Sequence, residues 1–224
     1  MFKFFRFIEA HSFLLTVMIF VAITIGGVVE VIPSFTQNTV ASSKTRPYSA
    51  LQLAGRQIYI KEGCNNCHSQ LIRPFKSETD RYGDYSKSEE YVYDRPFLWG
   101  SRRIGPDLHR VGLIRSTDWH EAHFLNAQST SPGSVMPNFT WFFENSINLE
   151  NVYGEMHTIK TIFNVPYDKE DMPTLGEFDS FQQNILDEAT TLAQEMKTAS
   201  VKELIEKKEI PEVVALIAYL NSLK

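Results

Sequence analysis

The chain has 224 residues, which is enough for one modest domain with additional segments. Its 43% hydrophobic and 22% charged residues are ordinary for a folded protein and argue against intrinsic disorder. A net charge of -5 without a basic tract gives no indication of nucleic-acid binding, and two cysteines exclude a disulfide framework.

The first predicted element is a membrane anchor over residues 1–35. Residues 12–29 carry no charge, and the apolar character continues to Ile32. This length reaches the roughly 20 apolar residues that a helix needs to cross a bilayer. Pro33 is the expected end of the helix, because proline cannot donate the next backbone hydrogen bond.

The charges around the anchor predict its orientation. Lys3 and Arg6 precede it, whereas residues 35–43 contain no lysine or arginine. The positive-inside rule then predicts a single membrane pass, with a cytoplasmic N-terminus and the remaining chain outside. A cleaved signal peptide is the alternative, but VVEVIPSF at the end of the apolar run is a poor cleavage site.

A linker is predicted over residues 36–49, followed by a second domain over residues 50–224. That domain begins with SALQLAGRQIYIKEG, whose apolar positions are Leu51, Ala54, Ile58 and Tyr59. Their spacing predicts an amphipathic helix, and Gly63 ends it directly before the first cysteine.

Cys64, Cys67 and His68 form the C-x-x-C-H pattern of a c-type haem attachment site. Two thioethers at this spacing can join the vinyl groups of one porphyrin, and the adjoining histidine then lies beneath the iron as proximal ligand. Half of a zinc site is an alternative, but a second ligand pair is missing. A dithiol redox motif is another, but its βαβ context is absent.

The chain beyond the motif is predicted to contain one long loop and further helices. Residues 73–103 are polar and rich in tyrosine and arginine, and their length indicates a function or an interface. Residues 149–164 and 178–210 have helical periodicity, and the second range is predicted to be a helical extension. Pro211 starts a final apolar helix that runs to Leu223.

This order of features resembles class I cytochrome c, which has a helix, C-x-x-C-H, a G-P-x-L turn, a methionine ligand and a terminal helix. Gly105 to Leu108 match the turn. The resemblance implies that the Pro106 carbonyl accepts the second ring N–H of His68 and fixes its tautomer; an ordinary surface turn is the alternative. The predicted fold is mainly α, with one N-terminal transmembrane helix plus a class I cytochrome c-like domain.

Two methionine–proline pairs compete for the sixth iron ligand. Met136 follows a loop sequence, and a thioether on a loop can be placed over the iron. Met172 lies in an acidic stretch that is more plausible as exposed surface. Met136 is therefore the predicted distal ligand. The alternative is bis-histidine ligation, in which the second ligand is His109, His120, His123 or His157.

A closer resemblance rests on the strings GRQIYIKEGCNNCHSQLIRPFKSETDRYG, EYVYDRPFLWGSRRIGPDLHRVG and VMPNFTW. They are similar to the mono-haem cytochrome c subunit of cbb3-type haem–copper cytochrome c oxidases, and the similarity covers nearly the whole chain. Residues 178–210 depart from it, because they are longer and more charged than the family leads us to expect.

This resemblance implies a non-catalytic electron-transfer subunit with one covalent haem c. Electrons would come from a di-haem cytochrome c subunit or a donor cytochrome and pass to the low-spin haem b of the catalytic subunit. The family also has a calcium site where these subunits meet, and Ser101 is the candidate residue for it. The alternatives are the cytochrome c subunit of a nitric oxide reductase, and a haem-based sensor or peroxidase with an exchangeable sixth position.

Overall fold

The computed structural model describes residues 2–36, 45–167 and 177–224. Two compact units divide the chain, Met1–Val40 and Ala41–Lys224. The described residues form α-helices and short 3-10 turns with no β-strand, which confirms the mainly helical class. Met172, the second candidate for the sixth ligand, lies outside the described residues.

The α-helices, numbered in chain order, are α1 (Phe2–Ala10), α2 (Ser12–Thr36), α3 (Ala50–Lys61), α4 (Lys76–Tyr82), α5 (Thr117–Leu125), α6 (Ala127–Thr130), α7 (Leu149–Phe163), α8 (Phe178–Ala193), α9 (Ala199–Glu206) and α10 (Glu212–Ser222). The 3-10 turns are Cys64–Asn66, Ser88–Tyr91, Val111–Leu113 and Thr140–Phe143.

The first unit is dominated by α2. Its part Ser12–Ile32 has 21 residues with a mean hydropathy of 2.5, so it is long and apolar enough to cross a membrane, as predicted. The predicted end at Pro33 is wrong, because the helix continues to Thr36. A proline this close to the end costs the helix a single internal hydrogen bond, and only three residues follow it.

The second unit is built on a close crossing of α3 and α10. An added Cβ at Gly55 would overlap the backbone of Ala215, so the absence of a side chain there lets the two helices touch. Tyr59 and Tyr219 fill the adjacent space with an edge-to-face pair whose ring centres lie 5.6 Å apart. Every residue of α10 from Glu212 to Leu220 is buried, and all of them except Glu212 are apolar or aromatic, as a helix enclosed on all sides requires.

A second layer packs beside this crossing. Phe124 of α5 contacts Phe142, and Phe142 stacks on Phe139 with ring centres 5.0 Å apart. Phe181 of α8 is fully buried and makes an edge contact with Tyr153 of α7. Together these rings join α5, α7 and α8 to the same apolar core.

Two segments contain more helical elements than the sequence pattern predicted. Residues 73–103 include α4 and one 3-10 turn rather than loop alone. Residues 178–210 form two helices, α8 and α9, because the chain breaks where the Lys197 and Thr198 backbone N–H groups donate to the Glu121 carboxylate. Their periodicity is helical on both sides of that break.

Candidate haem site

The cysteine pair lies on a tight turn that begins where α3 ends. Gly63 adopts a left-handed backbone conformation with φ of 70°, which turns the chain into the 3-10 turn Cys64–Asn66. The His68 backbone N–H donates to the Cys64 carbonyl at 2.8 Å. This turn brings Cys64, Cys67 and His68 together, and all three are half-buried.

The ring of His68 is fixed by its neighbours. Its Nδ1 donates to the Pro106 carbonyl at 2.9 Å, which can only accept, so Nδ1 carries the proton and Nε2 keeps its lone pair. An added Cβ at Gly105 would overlap the same ring. The Tyr59 hydroxyl donates to the His68 carbonyl at 3.0 Å and fixes the backbone beneath it. The imidazole therefore presents a basic nitrogen in a defined direction.

The turn that holds His68 is itself hydrogen-bonded to the motif. The backbone N–H groups of Ile104 and Gly105 both donate to the Cys67 carbonyl, at 3.1 and 3.0 Å. The Leu108 N–H donates to the Ser69 carbonyl at 2.9 Å. Because these bonds bracket Pro106 on both sides, its carbonyl cannot drift from the imidazole without breaking several of them.

Electrostatics keep the site neutral before any metal is considered. Burial lowers the pKa of His68, opposed by its bond to the Pro106 carbonyl and by the charge of Asp107, so the ring is uncharged near neutral pH. Burial raises the pKa of the Cys64 thiol to about 12. A neutral imidazole keeps the lone pair that iron ligation needs.

The loop that carries Met136 is attached to α5. The Phe139 backbone N–H donates to the Phe124 carbonyl at 2.8 Å, and the Met136 N–H donates to Ser134 Oγ at 3.2 Å. Met136 is half-buried against the core. Burial lowers the pKa of His123 on α5, and its Nδ1 hydrogen-bonds to the Thr130 hydroxyl at 2.5 Å. Helix α5 is thus joined to the loop of the predicted distal ligand.

The other histidines have different surroundings. His109 is buried and hydrogen-bonds to Ser86 at 2.6 Å and to Tyr91 at 3.1 Å. His157 is on α7 with its ring against Tyr153. His120 and His123 both lie on α5. Bis-histidine ligation would need one of these rings in the place of the Met136 thioether.

The described part of the chain suits a haem better than a separate metal ion. In this part, no group of three or more His, Cys, Asp or Glu side chains could hold a metal. Instead, two half-buried cysteines one turn apart adjoin a histidine whose free nitrogen is oriented by Pro106 and Gly105. This donor set fits a porphyrin that is held at its edge and ligated through its iron.

A comparison with protein families decides the assignment. The model of the cytochrome c oxidase mono-haem subunit family, FixO, matches residues 5–224. The chain belongs to the FixO family. Comparison with curated protein sequences gave no match.

Membership of the FixO family identifies the chain as a mono-haem subunit of a cbb3-type cytochrome c oxidase, as the sequence resemblance predicted. Its cofactor is a haem c, and its place is in the electron-transport complex of that oxidase. The N-terminal apolar helix fits a membrane-anchored FixO subunit. This membership favours the oxidase over a nitric oxide reductase.

Sequence reasoning missed two residues that support His68 in this FixO-family chain. Gly105 was part of the matched turn but had no assigned role, although the structure places it against the ring. Tyr59 was assigned only to the apolar face of α3, whereas its hydroxyl holds the His68 carbonyl. A tyrosine on a buried helix face, nine residues before the ligand, is the signal that could have pointed to this bond.

Proposed function

We propose that Cys64 and Cys67 form the two thioethers of one covalent haem c, with His68 as proximal ligand and Met136 as distal ligand. Pro106 accepts the Nδ1 proton of His68 and keeps Nε2 directed at the iron. A haem held in this way would supply one-electron exchange, and His68 and Met136 together would keep oxygen from its iron.

The residues around the proposed ligands limit rearrangement during electron exchange. Gly105 and Pro106 hold the imidazole in one orientation, and the hydrogen bonds to the Cys67 carbonyl hold the turn. The loop of Met136 is held through Phe139 to α5. Rigid ligands that serve both oxidation states reduce the reorganisation that accompanies each transfer.

The proposed role is a relay between two partners. Electrons enter from a di-haem cytochrome c subunit or a donor cytochrome and leave to the low-spin haem b of the catalytic subunit. The N-terminus lies in the cytoplasm and the haem domain in the periplasm, with α2 spanning the inner membrane. The domain boundaries that follow are an anchor over residues 1–35, a linker over 36–49 and the cytochrome domain over 50–224.

A single observation carries this proposal. The His68 ring, directly after the cysteine pair, is held through Nδ1 by the Pro106 carbonyl at 2.9 Å, which leaves Nε2 as the only ring nitrogen for iron.

We also propose that the exposed Ser101 supplies this chain's ligand to an interfacial calcium ion. Calcium takes six to eight oxygen ligands, so the partner subunit would provide most of them.

The distal ligand is tested with a pair of methionine variants in the purified oxidase. Met136→Ala is expected to keep haem staining on a denaturing gel but to lower the haem c reduction potential and oxidase turnover, since thioether ligation raises the potential. Met172→Ala is the control, because it removes the other methionine–proline pair. Unchanged potential and turnover in Met136→Ala would reject the assignment.

A further measurement separates the relay from a haem-based sensor or peroxidase. Carbon monoxide binds a ferrous haem only where the sixth position is open or readily exchanged. The relay predicts that the wild-type haem c resists carbon monoxide and that Met136→Ala binds it. Ready binding by the wild type would favour the sensor or peroxidase.

A further inference from the structure

Asp107 is the residue directly after Pro106, whose carbonyl holds the His68 ring, and its carboxylate is fully enclosed. None of its side-chain surface is exposed. One carboxylate oxygen accepts the Leu71 backbone N–H and the other accepts the His109 backbone N–H, both at 2.9 Å. Because Leu71 lies three positions beyond His68, the carboxylate joins the chain that leaves the proximal histidine to the chain that leaves Pro106. Asp107 therefore fixes the turn that carries the Pro106 carbonyl.

Arg103 carries the charge that offsets this carboxylate. Its guanidinium donates to the Asp107 carboxylate at 3.1 Å and to the Leu71 carbonyl at 2.5 Å. Only 14% of the Arg103 side chain is exposed, so solvent and salt screen this pair less than an ion pair on the surface. The turn thus has one negative and one positive side chain, and each is held in place by hydrogen bonds to the backbone.

Fixed charges at this turn would act on a haem ligated through His68. The positive charge of an iron falls by one unit when it takes up an electron, so a nearby negative charge favours the oxidised state and a nearby positive charge favours the reduced state. The Pro106 carbonyl, which accepts the His68 Nδ1–H at 2.9 Å, is one peptide bond from Asp107. Resting on the proposed function, we infer that Asp107 is a positioning residue whose charge, offset by Arg103, tunes the reduction potential of haem c.

A purely structural ion pair predicts a different result. If Asp107 and Arg103 only hold the turn, removal of either one loosens the imidazole and shifts the potential in the same direction. If their charges act on the iron, loss of the carboxylate raises the potential and loss of the guanidinium lowers it. The signs of the two shifts therefore separate the two roles.

The test uses the purified oxidase with haem bound. Asp107→Asn removes the negative charge and keeps an acceptor oxygen for the turn. Arg103→Gln removes the positive charge, whereas Arg103→Lys keeps it without the planar fork. Lys76→Gln is the control, because it removes a cation of the same segment whose side chain is 87% exposed. The readouts are redox titration of haem c, haem staining on a denaturing gel, and carbon monoxide binding at haem c, which reports an open sixth position.

Asp107→Asn is expected to raise the haem c potential and Arg103→Gln to lower it, while Arg103→Lys and Lys76→Gln stay close to the wild type. If Asp107→Asn does not yield a folded complex, the comparison of Arg103→Gln with Arg103→Lys decides. Equal potentials in those two variants, or shifts of the same sign in Asp107→Asn and Arg103→Gln, would overturn the inference. That result would leave haem staining and carbon monoxide resistance unchanged, whereas failure of the proposed function would appear as loss of covalent haem or as carbon monoxide binding by the wild type.

Discussion

At the scale of single residues, the contact between Gly105 and His68 has the sharpest consequence. Gly105→Ala is expected to push the imidazole away from the Pro106 carbonyl, because the new methyl group would overlap the ring. Loss of such support for a metal ligand costs about 10–100-fold in metal affinity or activity. The measurement is haem c content and oxidase turnover of the purified complex.

The matched control for this prediction is Gly154→Ala. A Cβ at Gly154 meets nothing within 4 Å, and the position lies inside α7. Alanine there is expected to stabilise the helix by about 0.5–1 kcal/mol without touching the haem site. Equal turnover in the two alanine variants would show that the close approach at Gly105 is unimportant.

The residues of the site were predictable from sequence only where they are neighbours. Cys64, Cys67 and His68 follow one another within one turn, so their chemistry is visible in the pattern itself. Pro106 lies 38 positions beyond His68, and only resemblance to a family suggested that the two meet. The bond from the Tyr59 hydroxyl to the His68 carbonyl was not predicted, because it depends on how α3 packs against the turn.

At the scale of elements, the segment 73–103 was predicted as a loop because its residues are mostly polar. In the structure, several of its charged side chains form an ion cluster with residues distant in sequence. The Glu78 carboxylate accepts the Arg73 backbone N–H at 2.9 Å and the Arg103 guanidinium at 2.8 Å. Arg103 also binds Asp107 at 3.1 Å, next to the turn that supports His68. Charge pairs between distant positions leave no periodic signal, so the organisation of this segment could not be read from its sequence.

This ion cluster predicts a pH-dependent stability. The Arg103 guanidinium hydrogen-bonded to Glu78 lowers the pKa of that carboxyl to about 2 from its ordinary 4.5. A depressed folded-state pKa contributes stability above pH 4.5 that is lost as pH falls toward 2. Glu78→Gln should therefore unfold at a lower temperature than the wild type at pH 7, with the gap narrowing below pH 4.5.

This prediction is checked by thermal unfolding of the detergent-solubilised chain from pH 7 to about pH 3. The lower end of that range lies between the ordinary pKa of Glu78 and its pKa in the folded chain. Glu144→Gln, at an exposed position that ends a 3-10 turn, is the control and should track the wild type. A Glu78→Gln gap that stays constant as the pH falls would show that the carboxylate charge does not stabilise the segment.

At the scale of the whole molecule, the chain consists of an apolar helix and a globular unit that each follow from composition. Uniform hydropathy over Ser12–Ile32 predicted the first, and the C-x-x-C-H framework predicted the second. Sequence periodicity also predicted α3, α7 and α10 closely, because each has its own apolar face. The crossing of α3 on α10 at Gly55 depended on tertiary packing and was not predicted.

This division predicts that the anchor acts mainly by raising local concentration. Residues 45–224, exported behind a cleavable signal, contain the whole of the described globular core and are expected to attach haem c with an unchanged spectrum. An oxidase that lacks the anchored subunit should then recover little turnover from about 1 μM of this domain. Tethering gives effective concentrations on the order of 1 mM, roughly a thousand-fold higher.

The control for this last prediction keeps the tether and changes its sequence. A chain with α2 replaced by an unrelated single-pass helix is expected to restore turnover if membrane attachment is all that the anchor provides. Turnover is measured with the same donor cytochrome for the full chain, the free domain and the exchanged anchor. Full activity from 1 μM free domain would contradict the concentration argument, since diffusion would then suffice. If the full chain is active with its native α2 but not with the exchanged helix, α2 makes specific contacts with the catalytic subunit, because both helices tether the haem domain equally.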